Sequence, residues 1–144
     1  MSEAPILHHG RCLCGGVRYQ VQGALPGIQL CHCGQCRLAH GTPFASNMPV
    51  QRSDFTLLSG AELLQGYESS PGKVRTFCRR CGSPLYSERD IYPDVLRIRA
   101  GSLEGAIQTQ PAMHIYTQDR CNWWPLADAL PRYPGSPHST EPEQ

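Results

Sequence analysis

Seven of the eight cysteines fall in three short clusters: Cys12-Leu13-Cys14-Gly15-Gly16, Cys31-His32-Cys33-Gly34-Gln35-Cys36 and Cys78-Arg79-Arg80-Cys81-Gly82. Cys121 stands apart. Thiolates this close in sequence converge on one soft metal ion without distant chain segments to bring them together, and C-x-C and C-x2-C are common stubs of tetrahedral zinc sites. Two clusters carry two sulfurs and the third carries three. Two pairs complete a closed four-sulfur site, whereas a triplet is one ligand short and could hold zinc with an open position for chemistry. Spacing leaves the partition open. Pairing Cys33/Cys36 with Cys78/Cys81 would make one ribbon, but its arms lie much further apart than the usual gap of roughly 15–20 residues. Pairing Cys12/Cys14 with Cys78/Cys81 keeps the triplet intact, and locality favours it. A fourth ligand to the triplet could then be water, a substrate thiol, His32, His40 or Cys121.

These ligands need a scaffold that brings turns together. At 144 residues the chain is long enough for one core. No apolar run reaches the length of a membrane span, and the first residues lack the basic start and apolar stretch of a secretory signal. We therefore expect a cytoplasmic protein, where thiols stay reduced and metal ligation is favoured over disulfides. A formal charge of +1 gives no global reason to expect nucleic acid or membrane lipid as a partner.

Glycine (14) and proline (13) are scattered rather than periodic, which reads as short strands joined by turns. Residues 17–22 and 96–100 alternate apolar and polar and each run stops at a glycine, as half-buried strands do. Weaker strands are expected at 44–50, 55–58, 74–77 and 113–116, with a turn or two of helix within 34–40. A glycine directly follows Cys14, Cys33 and Cys81, where backbone N–H groups must curl towards sulfur. The polar, proline-rich stretch 135–144 is expected to be disordered.

The order Cys12-x-Cys14-Gly15-Gly16, then Cys31-His32-Cys33-x-x-Cys36-Arg37 with His40-Gly41, then Phe77-Cys78-Arg79-Arg80-Cys81-Gly82-Ser83-Pro84-Leu85, then His114-Ile115-Tyr116 leading to Trp123-Trp124 and Pro131-x-Tyr133, resembles the glutathione-dependent formaldehyde-activating enzymes, also called the GFA or CENP-V family. The likeness runs from Gly10 to Pro134. It implies a mainly β, Mss4-like (β-tent) single domain of short antiparallel strands over 10–134, with a lead-in at 1–9 and a tail at 135–144. It also implies two Zn²⁺ per chain, a structural one on Cys12, Cys14, Cys78 and Cys81 and a catalytic one on Cys31, Cys33 and Cys36. Where relatives often carry a small residue and a proline before the tryptophan, this chain has Cys121-Asn122-Trp123-Trp124, beside the expected substrate site.

The activity implied is that of a carbon–sulfur lyase resembling S-(hydroxymethyl)glutathione synthase, with glutathione or another small thiol and formaldehyde or a related aldehyde as substrates. The oligomeric state is left open. Arg37 is placed to meet a glutathione carboxylate, though a solvated arginine is the plainer expectation. Arg79 and Arg80 would offset a negative tetrathiolate. His114 lines the site or is a hydrogen-bonded structural histidine, and of Trp123 and Trp124 one is expected in the core and one beside a groove. The competing reading is a non-catalytic zinc module whose triplet is closed by a fourth protein ligand and whose surface binds a protein or nucleic acid.

Overall fold

The computed structural model describes residues 6–140. It is mainly β, with ten strands and one α-helix among the described residues. The chain divides into two compact units: one comprises the chain up to Pro26 and Met48–Gln108, the other Gly27–Asn47 and the chain from Thr109.

In the first unit β1 (Leu7–Arg11), β2 (Arg18–Gln22) and β5 (Phe55–Ser59) form an antiparallel sheet in the order β1-β2-β5. A meander follows, built from β6 (Leu64–Ser70), β7 (Lys73–Cys78), β8 (Pro84–Arg89) and β9 (Val95–Arg99). The alternation seen in the sequence decides which side chains face inward. Val17, Tyr19 and Val21 are buried while Arg18 and Gln22 face solvent, and Leu96 and Ile98 do the same from β9. They pack with Leu85, Val50, Cys12 and Cys78. Each fully buried aliphatic contributes about 1.5–3 kcal/mol, so the core grips the turns that carry Cys12 and Cys78.

The second unit places β10 (Pro111–Ile115), β3 (Ile28–Cys31) and the start of β4 (Ala45–Gln51) side by side in the order β10-β3-β4. β3 and β4 are antiparallel, as expected, but β10 and β3 run parallel. The helix α1 (Gly34–His40) follows β3 and stops at Gly41, whose φ of 65° is one that only glycine adopts freely. Cys31, Cys36, Ala45 and Ile115 form its small core. The end of this unit is tied back: Tyr116 N–H donates to Gly135 C=O at 2.8 Å and Gly135 N–H to Ser139 Oγ at 2.9 Å. The expected disordered tail is therefore hydrogen-bonded at these positions, and its last residues, 141–144, lie outside the described ones.

Candidate metal centres

The first centre grows from two turns of the first unit. Directly after β1 the chain reverses: Gly15 N–H donates to Cys12 C=O at 3.0 Å and Cys12 N–H to Val17 C=O at 3.1 Å. The second turn closes β7, where Gly82 N–H donates to Cys78 C=O at 2.7 Å. Gly15 (φ 77°) and Gly82 (φ 80°) sit in the left-handed region that these reversals require. Leu13 N–H donates to Ser83 Oγ at 2.8 Å and joins the two turns. The sulfurs of Cys12, Cys14, Cys78 and Cys81 then lie within 4.8 Å of one another. Cys12 and Cys14 Sγ are 3.5 Å apart, and Cys14 and Cys78 Sγ 3.8 Å. Tetrahedral zinc with Zn–S bonds near 2.3 Å requires S···S separations of about 3.8 Å, so this donor set fits zinc without rearrangement.

The surroundings favour thiolate. Val17 N–H donates to Cys12 Sγ at 3.3 Å, and Arg80 Nε to Cys14 Sγ at 3.3 Å. The Gly16 N–H, and then Arg80, hold the Cys14 thiol below the usual thiol range. Burial opposes ionisation of Cys81, yet hydrogen bonds from Ser83 and from the backbone N–H groups of Cys14 and Ser83 outweigh it and bring the thiol to about 5. Burial pushes Cys78 the other way. Four thiols so close cannot all ionise without a cation among them.

The second centre is local to one strand-to-helix junction. Cys31 ends β3, Cys33 is the N-cap of α1, and Cys36 lies in its first turn. Cys36 N–H donates to Cys33 Sγ at 3.3 Å, so the thiol of Cys33 takes the role that an oxygen usually plays at this cap. The three sulfurs lie within 4.8 Å of one another, with Cys31 and Cys36 buried and Cys33 half-buried. Hydrogen bonds with Cys33 and Cys36, then burial, push the Cys31 thiol far up, as expected of thiols crowded without a positive charge. Among the described residues no His, Cys, Asp or Glu joins this group. The three protein candidates for a fourth ligand, His32, His40 and Cys121, therefore stay outside it. Arg37 Nε is buried with no hydrogen-bond partner, one residue beyond Cys36.

His32 is turned away from the sulfurs on either side of it. Its Nε2 lies 2.8 Å from His114 Nδ1, and His114 Nε2 lies 2.9 and 3.1 Å from the Asp128 carboxylate oxygens. Both rings are buried. Burial above all pushes the His32 pKa down to about 4, so its ring is neutral near pH 7. Phe44 packs against this pair, 5.1 Å from His32 and 6.3 Å from His114 between ring centroids, and Trp124 meets Phe44 edge-on at 6.1 Å. Neither tryptophan is in the core: Trp123 is 62% and Trp124 47% exposed. The tryptophan expected in the core is therefore not found there, while Trp124 packs against Phe44.

The sequence reading missed Asp128 and Phe44. Asp128 lies in an irregular loop, fourteen residues beyond the histidine it meets, and no periodicity or spacing connects them. Of the two arginines between Cys78 and Cys81, Arg80 makes the expected sulfur contact.

The family model for glutathione-dependent formaldehyde-activating enzymes matches residues 7–119. A Halomonas elongata protein provisionally named as such an enzyme is 29% identical over 127 residues, covering 82% of this chain and 80% of that protein. An uncharacterized lyase of Schizosaccharomyces pombe is 32% identical over 79 residues, covering 55% of this chain and 56% of its own length. The crystal structure of a Rhodobacter sphaeroides protein superposes with a TM-score of 0.59 at 26% identity, covering 72% of this chain and 99% of that one. With the matched segment enclosing all three cysteine clusters, the chain belongs to the glutathione-dependent formaldehyde-activating enzyme family.

Proposed function

We propose that this chain is a zinc-dependent enzyme of the carbon–sulfur lyase type, acting on the adduct of glutathione, or another small thiol, with formaldehyde or a related aldehyde. The observation that carries this reading is the three-sulfur cluster to which no other metal-ligating side chain among the described residues contributes. Cys12, Cys14, Cys78 and Cys81 hold a structural zinc and Cys31, Cys33 and Cys36 a catalytic one. A zinc ion with an open position supplies a Lewis acid that lowers the pKa of a substrate thiol.

The chain's own residues do the rest. Cys33, as the helix cap, and Cys31, at the strand end, hold the cluster to one side of the junction. Arg37, one residue beyond Cys36 and with a buried Nε that has no hydrogen-bond partner, is the cation assigned to a carboxylate of the thiol substrate. Phe44, with Trp124 edge-on to it, packs against the ring of His32, the residue between Cys31 and Cys33. In the synthetic direction the thiol sulfur bonds to the aldehyde carbon, the carbonyl becomes a hydroxyl, and the thiol proton ends on that oxygen. The reverse reaction is the lyase step. Holding the two partners together is the main source of acceleration, since aldehydes add to thiols unaided.

Exchange NMR of glutathione with formaldehyde tests the assignment. Wild type should exchange the adduct faster than Cys33→Ser, and equal rates would remove it. A second reading, a non-catalytic metal module that docks a partner, draws on the exposed Trp123 and Trp124. A fourth protein atom bound to the triplet's metal would favour it.

A further inference from the structure

His32 is the one residue between the first two sulfurs of the triplet, and it is anchored at two points on β10. Its backbone N–H donates to Ile115 C=O at 3.0 Å, and its ring meets His114 at 2.8 Å. The second anchor continues to Asp128, whose side chain is 45% exposed while both imidazoles are buried. Hydrogen-bond chemistry gives this chain a direction. A carboxylate only accepts, so His114 carries a proton on Nε2. With both rings neutral, His114 Nδ1 accepts and His32 donates to it from Nε2. Asp128 is itself held in place, since its Oδ1 also accepts from Leu130 N–H at 3.0 Å and its backbone C=O accepts from Arg132 at 3.4 Å.

We propose that Asp128 is a positioning residue for the Cys31/Cys33/Cys36 centre: through His114 it holds the His32 ring in its Nε2–H tautomer and thereby fixes the backbone between Cys31 and Cys33. The proposal rests on the reading of that cluster as a metal site. The physical reason is local. A buried imidazole without its partner leaves polar atoms unsatisfied and turns to find others. Any turn of His32 is transmitted through one peptide unit to each neighbouring cysteine. Residues that hold ligands in place from outside the ligand set change metal affinity by roughly 10–100-fold when lost. An alternative confined to Asp128's loop, in which its carboxylate serves only Leu130 N–H, would leave the histidine rings as they are.

The test compares full-length wild type, Asp128→Ala and Asp128→Asn. Long-range ¹H–¹⁵N NMR reads the tautomer of each histidine, and cobalt(II) titration reads each centre through its thiolate charge-transfer bands. Wild type should show Nε2–H on both His32 and His114. Asp128→Ala should lose the single tautomer at both rings and weaken cobalt uptake at the three-sulfur centre by roughly 10-fold, with the four-sulfur centre unchanged. Asp128→Asn keeps an oxygen that can accept from His114 and should restore most of both signals. An Nδ1–H His32 in wild type, unchanged tautomers in Asp128→Ala, equal weakening at both centres, or Asn behaving as Ala would each overturn the proposal. Uptake of a single cobalt by wild type would instead remove the metal reading of the triplet, and the tautomers alone would then decide the role of Asp128.

Discussion

At Cys12, Cys14, Cys78 and Cys81 the sulfurs come from two turns far apart in the chain, and Arg80 together with backbone N–H groups points at them. Cys31, Cys33 and Cys36 come from one junction, and the group nearest to them in sequence, His32, is directed elsewhere. The difference separates two tasks that the same side chain can perform. A site that closes a long loop makes folding depend on its metal, because it replaces chain entropy that a small β unit would otherwise have to offset. A site built within six residues closes almost no loop, so its metal can be exchanged or left incompletely ligated with little effect on the fold. The positions agree with this: Cys12 and Cys78 sit in the main apolar core, whereas the triplet packs in a small satellite core beside a seven-residue helix.

Breaking the comparison starts with the four-sulfur centre. Cys78→Ser should abolish the cooperative thermal transition followed by circular dichroism, because structural zinc supplies apparent folding free energies of about 10–16 kcal/mol in small domains. A variant that still melts cooperatively near the wild-type temperature would show that this centre does not hold the fold. The next largest effect is expected from Cys33→Ser combined with Cys36→Ser. Metal analysis should fall from two zinc per chain to one, thiol–aldehyde exchange should drop to the uncatalysed rate, and the melting temperature should move by only a few degrees. Two zinc retained in that double variant would break the partition.

Smaller effects sharpen the contrast. Arg37→Ala should raise the KM for glutathione by about 10-fold with little change in kcat, as loss of one charge-assisted contact does. Unchanged KM would leave Arg37 as a helix residue only. The last expectation concerns the core that grips the four-sulfur centre. Burial pushes the Tyr19 pKa up to about 12, against the opposing effect of its hydrogen bond with Ser102. The unfolded chain gives up this proton near pH 10 and the folded chain keeps it, so the unfolded state binds fewer protons in that window. Stability should therefore be intact below about pH 10 and fall as the pH rises towards 12. Urea titrations across this range should show a smaller fall in Tyr19→Phe, and an identical fall would rule out Tyr19 as its source.

Several features of the fold were legible because they depend on neighbours in sequence. The alternation in residues 17–22 and 96–100 placed Tyr19, Val21, Leu96 and Ile98 inward, and the structure buries all four. A turn or two of helix was expected within 34–40, and α1 spans those residues. Strands β1, β3, β6 and β8 were not anticipated. β6, for example, reads Leu64-Gln-Gly-Tyr-Glu-Ser-Ser and has an exposed Tyr67, so its strand character comes from pairing with β7 rather than from its own pattern. The parallel contact of β10 with β3 had no local signal either, although it sets the partner of His32.

By itself the sequence determined which residues carry sulfur, that they come in two pairs and a triplet, and where glycine permits a tight reversal. These are properties of spacing and of single-residue conformational freedom. Spacing alone left the grouping of the clusters open. Tertiary structure brought Cys12 and Cys14 beside Cys78 and Cys81, kept the triplet by itself, and turned His32 towards His114 and Asp128. Those outcomes depend on strand pairing and on the burial of polar groups that must find partners. Both act between residues that no local pattern connects.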